Sequence, residues 1–368
     1  MDTKKNIKTL DKRELSAYFE QLNEPAYRAE QVWDWLWNKQ AESFDEMTNL
    51  PKSLRKKLEE HFDIPKARLH LTRQSSDGTI KNAVELPDSL IVESVIIPEK
   101  KRATACISSQ VGCSLNCLFC ATGRLKRMRN LTASEIVDQV VQAREQSLTY
   151  YGYPLTNIVF MGMGEPLLNY ENVKEAIEII TSEKGLGMAP KRITLSTAGV
   201  PERIKQLALD LPKINLAVSL HSAIDEVRTR IMPSNKAYGG LDALLESLQF
   251  WYKKTKSKIT FEYLVFKDIN DDDRSIRALV KFASKIPSKV NLIQYNPTDS
   301  FDRFAQADDE VLEAYRQALK EKGIIATVRR SRGQDIEAAC GQLAARYEDV
   351  KIKIEHKPIS LSQIKNRQ

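Results

Sequence analysis

Four cysteines fall within 15 residues, Cys106, Cys113, Cys117 and Cys120, and a fifth, Cys340, stands alone near the end of the chain. Cys113-Ser-Leu-Asn-Cys117-Leu-Phe-Cys120 is a CxxxCxxC triplet on one short stretch. Three thiolates on such a loop can converge on three corners of a cube. A 4Fe–4S cluster usually takes four thiolates, so three leave one iron open to a substrate or cofactor. Zinc is the competing reading. Structural zinc prefers four ligands in paired units, so here Cys106 or a distant residue would have to complete the set, and none of the four histidines is near in sequence. An odd cysteine count in a chain without a secretory leader argues against a disulfide framework. Cys340 alone reads as a small buried hydrophobe.

The elements that must hold this loop begin at about residue 103. Apolar runs recur at 103–108, 157–162, 192–197, 214–220, 259–266, 289–295 and 324–329, mostly separated by helical stretches such as LTASEIVDQVVQAREQ and DDEVLEAYRQALKEK. Thr132 and Asn169 stand where helix caps belong, with Glu135 three residues after Thr132. Buried parallel strands joined by crossover helices predict an α/β fold. Six or seven units predict an open, partial (β/α)6-type barrel rather than a closed eightfold one. The cysteine loop follows the first strand. Gly162-Met163-Gly164-Glu165-Pro166 follows the second, where glycine lets backbone approach a ligand closely.

Ahead of this core, residues 11–62 carry apolar residues at three- and four-residue steps, with Pro25 and Pro51 as breaks, and read as a helical accessory domain over 1–66. Trp33, Trp35 and Trp37 could form a platform for bases, but a spacing of two spreads them around a helix, which is the pattern of core packing. Residues 67–98 alternate and are rich in Val and Ile, and read as a small antiparallel β segment. The core is expected over 99–345. The stretch 346–368 reads as a basic C-terminal tail that is more plausibly solvated than bound to RNA.

In this setting CISSQVGCSLNCLFCATG, MGMGEPLLNYENV, ITLSTAGV, LAVSLHS, NLIQYNP and RGQDIEAACGQL resemble, in order, the motifs of the RlmN/Cfr family of RNA methyltransferases in the radical S-adenosylmethionine (SAM) superfamily. YRAEQVWDWLW near the N-terminus fits that family too, so the resemblance covers nearly the whole chain apart from the tail. It implies one 4Fe–4S cluster on Cys113, Cys117 and Cys120 and two SAM molecules per turnover. Gly164, Glu165, Ser196, Ser219, Leu220, His221 and Asn296 match positions that contact SAM in the family. Cys340, in AACGQL, matches its S-methylcysteine, Cys106 the resolving thiol and Glu93 the base.

The implied target is C2 of an adenine, adenosine 2503 of 23S rRNA and adenosine 37 of tRNAs. That carbon is not nucleophilic, so polar methyl transfer fails and a radical route is required. In the family, the cysteine matching Cys340 takes a methyl group from one SAM, and a radical made from a second SAM removes hydrogen from it. The sulfur-bound CH₂ radical then adds to C2. Loss of the C2 proton to Glu93 and attack of Cys106 on the Cys340 sulfur release the product, leaving a Cys106–Cys340 disulfide to be reduced. The sister activity methylates C8 of the same rRNA adenosine, and a zinc-stabilised RNA-binding protein without catalysis is the reading from another class. The resemblance also implies an electron donor such as flavodoxin or ferredoxin, and a monomer.

Composition is compatible with this. The chain has 368 residues, 42% of them apolar, 56 Lys and Arg against 49 Asp and Glu, and a net charge of +7. That excludes disorder as the main state and allows a nucleic-acid partner without demanding one. No run approaches a membrane span and the first residues lack the apolar stretch of a signal peptide, so a cytoplasmic protein is expected. Arg124, Lys126, Arg127 and Arg129 crowd the segment after the cysteine triplet, and Arg329, Arg330 and Arg332 precede Cys340. Such charges suit a phosphate backbone, although many relatives carry Gly-Phe where this chain has Lys126-Arg127.

Overall fold

The computed structural model describes residues 4–298 and 304–344. The basic tail expected at 346–368 lies outside them. Ten strands form one sheet: β1 (Arg68–Gln74), β2 (Ile80–Glu85), β3 (Ile91–Glu99), β4 (Arg102–Cys106), β5 (Asn157–Phe160), β6 (Ile193–Thr197), β7 (Asn215–Ser219), β8 (Ile259–Val265), β9 (Ser288–Gln294) and β10 (Ile325–Arg329). Their order across the sheet is their order in the chain. β4 to β10 pair in parallel, and β1 to β4 pair antiparallel. β1 and β10 are the outer strands, so the α/β barrel is open, as the number of units predicts.

The antiparallel segment is not a sheet of its own. β3 pairs with β4, Val95 opposite Cys106, so the segment extends the core sheet directly. The short link between β3 and β4 leaves room only for a hairpin, which fixes that pairing. The inner parallel strands are largely buried, β8 along its whole length, which requires covering helices, whereas β10 at the edge is largely exposed. Those are α4 (Ala133–Tyr151), α5 (Tyr170–Thr181), α6 (Pro201–Asp210), the short α7 (Asp225–Ile231) and α8 (Ser234–Ala237), then α9 (Gly240–Thr255), α10 (Asp273–Ala283) and α11 (Asp309–Glu321).

Local chemistry sets the helix starts. Thr132 and Glu135 form the expected capping box at α4, which ends at Gly152 in the left-handed region. Asn169 departs from expectation. It precedes α5 but makes no cap bond: its Oδ1 accepts from the Asn172 side chain, and its Nδ2 donates to Ser109 O and Leu131 O, all at 2.8 Å.

The N-terminal helices α1 (Lys12–Gln21), α2 (Tyr27–Trp37) and α3 (Lys52–His61) pack around Phe19, Trp37 and Leu58. Trp33 and Trp37 are buried and their rings lie 5.7 Å apart, so they are core, as their spacing suggests. A buried ion pair ties this unit to the barrel: Lys8 Nζ stands 3.1 Å from Asp138 on α4, whose other oxygen accepts from Ala67 N. No helix among the described residues is long and apolar enough to cross a membrane.

Candidate active site

The loop after β4 carries the cysteine triplet across the ends of the parallel strands. It is folded tightly: Cys120 N donates to Cys117 O, and a Cβ on Gly123 would stand 2.7 Å from that same oxygen. Only glycine allows this approach. Leu115 and Phe119 anchor the loop in an apolar cluster with Ile231, Met232 and Phe266, against which all three thiols pack.

Burial pushes the Cys113 thiol up to about 12, with Cys120 adding to the rise. It drives Cys117 well above its ordinary value, helped by the negative charge that Cys120 and Cys113 would carry, and raises Cys120 too. The three thiols are therefore close enough to repel one another as thiolates, and burial without a cation disfavours that state. A cationic iron–sulfur core reverses the penalty, so the donor set fits such a group. Among the described residues no three His, Cys, Asp or Glu side chains meet around one ion. Ligands to three corners of a cube stand further apart than ligands of a single ion, so this geometry is compatible with a cluster.

The glycine motif sits beside this loop. Gly164 has φ +95°, and a Cβ there would lie 2.5 Å from the Gln110 side chain. Glu165 is buried; its Oε1 accepts from Leu167 N at 3.0 Å and Oε2 from Ala198 N at 2.8 Å. Burial raises its carboxyl despite those donors. The Thr197 hydroxyl donates to this carboxylate as well, so of its four lone pairs one remains for a further donor. Ser196 is the last residue but one of β6, Ser219 ends β7, and Leu220 and His221 follow directly. His221 Nδ1 accepts from Leu264 N at 3.0 Å. Asn296 is buried, and its side chain serves the Cys340 segment: Nδ2 donates to Cys340 O at 3.4 Å, and Oδ1 accepts from Gln334 Nε2 at 2.9 Å.

Cys106, Cys120, Arg329 and Cys340 line one cavity of about 570 Å³. Cys106 ends β4 and is buried, which pushes its thiol up to about 12, with the Cys340 charge adding to the effect. Cys340 is exposed, and both thiols are free. The Cys340 segment is strapped over the strand ends from several sides. Ala121 N donates to Gly341 O and Ala344 N to Glu93 Oε2, both at 2.8 Å. Gly333 N donates to Asp77, and Asp335 accepts from Ser75 Oγ at 2.6 Å.

Glu93 is fully buried on β3, not an exposed strand residue. Its Oε1 lies 2.9 Å from Lys81 Nζ, which also donates to Glu337 O. Sequence reasoning missed Lys81, since TIKNAVEL reads as simple alternation and only the covering strap buries the lysine. It missed Arg228 for the same reason: DEVRTRI reads as a solvated helix, yet Arg228 is buried. Of the basic residues after the triplet, Arg129 is structural, held by Asp88 at 2.6 Å and by both oxygens of Glu135.

An open α/β barrel with a three-cysteine loop after its first parallel strand and a glycine motif after its second defines a radical SAM enzyme. Residues 107–280 match the family description "Radical SAM superfamily", which implies a 4Fe–4S cluster and SAM, and residues 5–64 match "Ribosomal RNA large subunit methyltransferase N-terminal domain". The chain is 56% identical to the probable dual-specificity RNA methyltransferase RlmN of Flavobacterium johnsoniae, over 94% of this chain and 99% of that one. It is 44% identical to the dual-specificity RNA methyltransferase RlmN of Solidesulfovibrio magneticus, over 93% and 97%. A solved radical SAM methyltransferase from Sphaerobacter thermophilus superposes with a TM-score of 0.85 at 38% identity, covering 93% of this chain and all of that one. The chain belongs to the RlmN family of radical SAM RNA methyltransferases.

Proposed function

We propose that this chain methylates C2 of an adenosine in 23S rRNA and in tRNAs, through a covalent bond between Cys340 and the base. The observation that carries the reading is the meeting of Cys106 and Cys340, remote in sequence, in one cavity with Cys120. The residues fit a 4Fe–4S cluster on Cys113, Cys117 and Cys120. When bound, that group supplies the electron that cleaves SAM to a carbon radical.

The protein's own groups do the rest. Gly164 and Glu165 hold the amino group of SAM, with Ser196, Ser219, Leu220, His221 and Asn296 around the rest of it. Cys340, exposed and lining the cavity, takes a methyl group on its sulfur as the nucleophile. Loss of one hydrogen atom from that methyl to the SAM-derived radical leaves a methylene that then bonds to C2. Glu93 takes the C2 proton, and Lys81, with its Nζ 2.9 Å from Oε1, holds the carboxylate in place. Cys106 attacks the Cys340 sulfur last, which breaks the bond to the methylene and leaves a disulfide; the odd electron of the base adduct would return to the oxidised cluster, and two electrons and two protons from outside would restore the two thiols. An external one-electron donor of the flavodoxin or ferredoxin class, acting in the cytoplasm, completes the cycle.

The order of these steps gives the test. With labelled RNA, Cys106→Ala accumulates a nuclease-sensitive, retarded protein band on denaturing gels, because addition proceeds and resolution stops. Cys340→Ala gives no such band, since no bond to RNA forms. A band of equal strength in both variants, or in neither, contradicts the assignment. Nucleoside analysis of rRNA and tRNA from a deletion strain, with and without the gene, separates a C2 product from a C8 product.

A further inference from the structure

Arg228 is a buried cation whose hydrogen bonds all go to neutral groups. Its Nε donates to Leu220 O at 3.0 Å, and Nη2 donates to Ala198 O at 2.6 Å and Ser219 O at 3.2 Å. Nη1 donates to Asn235 Oδ1. Among the described residues no carboxylate lies within 4.0 Å of it. Asp225 is reached only through Asn235, whose Nδ2 donates to Asp225 Oδ1 at 2.9 Å. The neighbouring His221 offers no negative charge either.

A buried charge is strongly unfavourable unless an opposite charge stands near. The hydrogen bonds satisfy the donors of Arg228 but not its charge. What lies on its other side is the cysteine loop. Leu118 N donates to Ile231 O of the same helix, and Ile231 and Met232 pack with Cys113, Cys117 and Cys120. Ala198, whose carbonyl accepts from Arg228 Nη2, belongs to the same apolar cluster against which the three cysteines pack, so the guanidinium lies beside the loop that carries them.

We infer that Arg228 is the fixed counter-charge of the cluster held by Cys113, Cys117 and Cys120, and that it eases the cluster's reduction. The inference rests on the reading that these three cysteines hold the cluster. Three thiolates on a 2+ core carry one net negative charge. One electron from the flavodoxin- or ferredoxin-class donor makes the core 1+ and the whole doubly negative, while the donor is oxidised by one electron. A fixed buried cation favours the more negative state. Net charge and the local environment are the levers that set such potentials. Arg228 acts through the cluster and touches no substrate in this account, so it is a positioning charge rather than a catalytic residue.

The test uses full-length protein loaded anaerobically with iron and sulfide, without SAM, so that the SAM carboxylate cannot be the anion sensed. The midpoint potential is read by titration followed by electron paramagnetic resonance, alongside iron content and thermal melting. Arg228→Gln removes the charge, and reduction becomes about tenfold less favourable, a shift of about 59 mV to more negative potential for one electron. Arg228→Lys loses most of the hydrogen bonds but keeps the charge, so it melts earlier while its potential stays near that of the parent. If Arg228→Gln takes up no iron but Arg228→Lys loads fully, the counter-charge is supported again.

An unchanged potential in Arg228→Gln overturns the inference. Equal shifts in both variants, or loss of iron from both, assign Arg228 to stapling the strand ends alone and overturn it too. Failure of the parent protein to bind iron, or full iron in Cys117→Ala, instead removes the cluster reading on which the inference stands.

Discussion

His221 illustrates how one side chain is fixed by its surroundings. It has φ +54°, in the left-handed region that few side chains adopt, and lies buried between the ends of β7 and β8. Burial first, and the Arg228 charge second, lower its ring to about 3 from an ordinary 6.5. The folded protein therefore keeps a neutral ring over a range where the unfolded chain takes up a proton. The contribution of His221 is full above pH 6.5 and is lost as pH falls from there toward 3. Between pH 6 and 4 the parent should lose up to about 1.4 kcal/mol per pH unit more than His221→Gln. Denaturant unfolding at several pH values measures this difference, and equal slopes would mean that the ring already protonates in the fold. The cysteines announce their chemistry by type and spacing, but the state of this histidine, like the burial of Arg228 and Lys81, depends on what packs over it. Residue type alone does not carry that information.

Among the elements, the parallel strands were legible because buried inner strands read as continuous apolar runs, and each strand, the exposed edge strand β10 included, appears within a few residues of its expected place. The helices of the core and of the N-terminal unit were legible from periodicity and caps. The strap at 330–344 was not, since RSRGQDIEAACGQL has no period and its position is set by partners far away in the chain. One of these is Asp77, in the turn between β1 and β2. It accepts from Thr79 N at 2.9 Å and Gly333 N at 3.0 Å, and lies 3.9 Å from Arg332. Burial alone would raise its carboxyl, but the donors from Thr79 and Gly333 outweigh that and bring it to about 2. The clamp is therefore fully present above pH 3.8 and is lost as pH falls through 2. At neutral pH the same loosening is reached by Asp77→Ala. Amide exchange over 333–343 should quicken about tenfold, in line with the loss of hydrogen bonds to a charged group, while exchange in α4 stays as it was. Unchanged exchange in the strap would mean that Asp335 and Glu93 hold it without Asp77.

At the scale of the whole molecule, the proposed reaction raises the question of how a base would reach Cys340. The cavity lies between the strand ends and the strap, and at about 570 Å³ it has room for a nucleoside rather than for a helix. Its lining includes Arg329, Arg330 and Arg332, charges that would suit the phosphates on either side of one extruded nucleotide. The buried Lys8–Asp138 pair ties the N-terminal unit to α4, and none of the residues that line the cavity comes from that unit. Adenine stacked in a helix offers C2 poorly, and bringing that atom to a sulfur-bound carbon requires the base to leave its stack. The energy of extrusion is smallest where the RNA is free to open and largest where ribosomal proteins and neighbouring RNA lock the fold around the target. Protein-free, folded 23S rRNA should therefore be methylated faster than assembled large subunits under the same reducing conditions, with the difference in kcat/KM rather than in cluster content. Single-turnover rates on the two substrates, with methyladenosine quantified after nuclease digestion, measure this directly. Equal rates would mean that the subunit already presents the adenosine unstacked, and that the cavity receives a nucleotide the enzyme has no part in extruding.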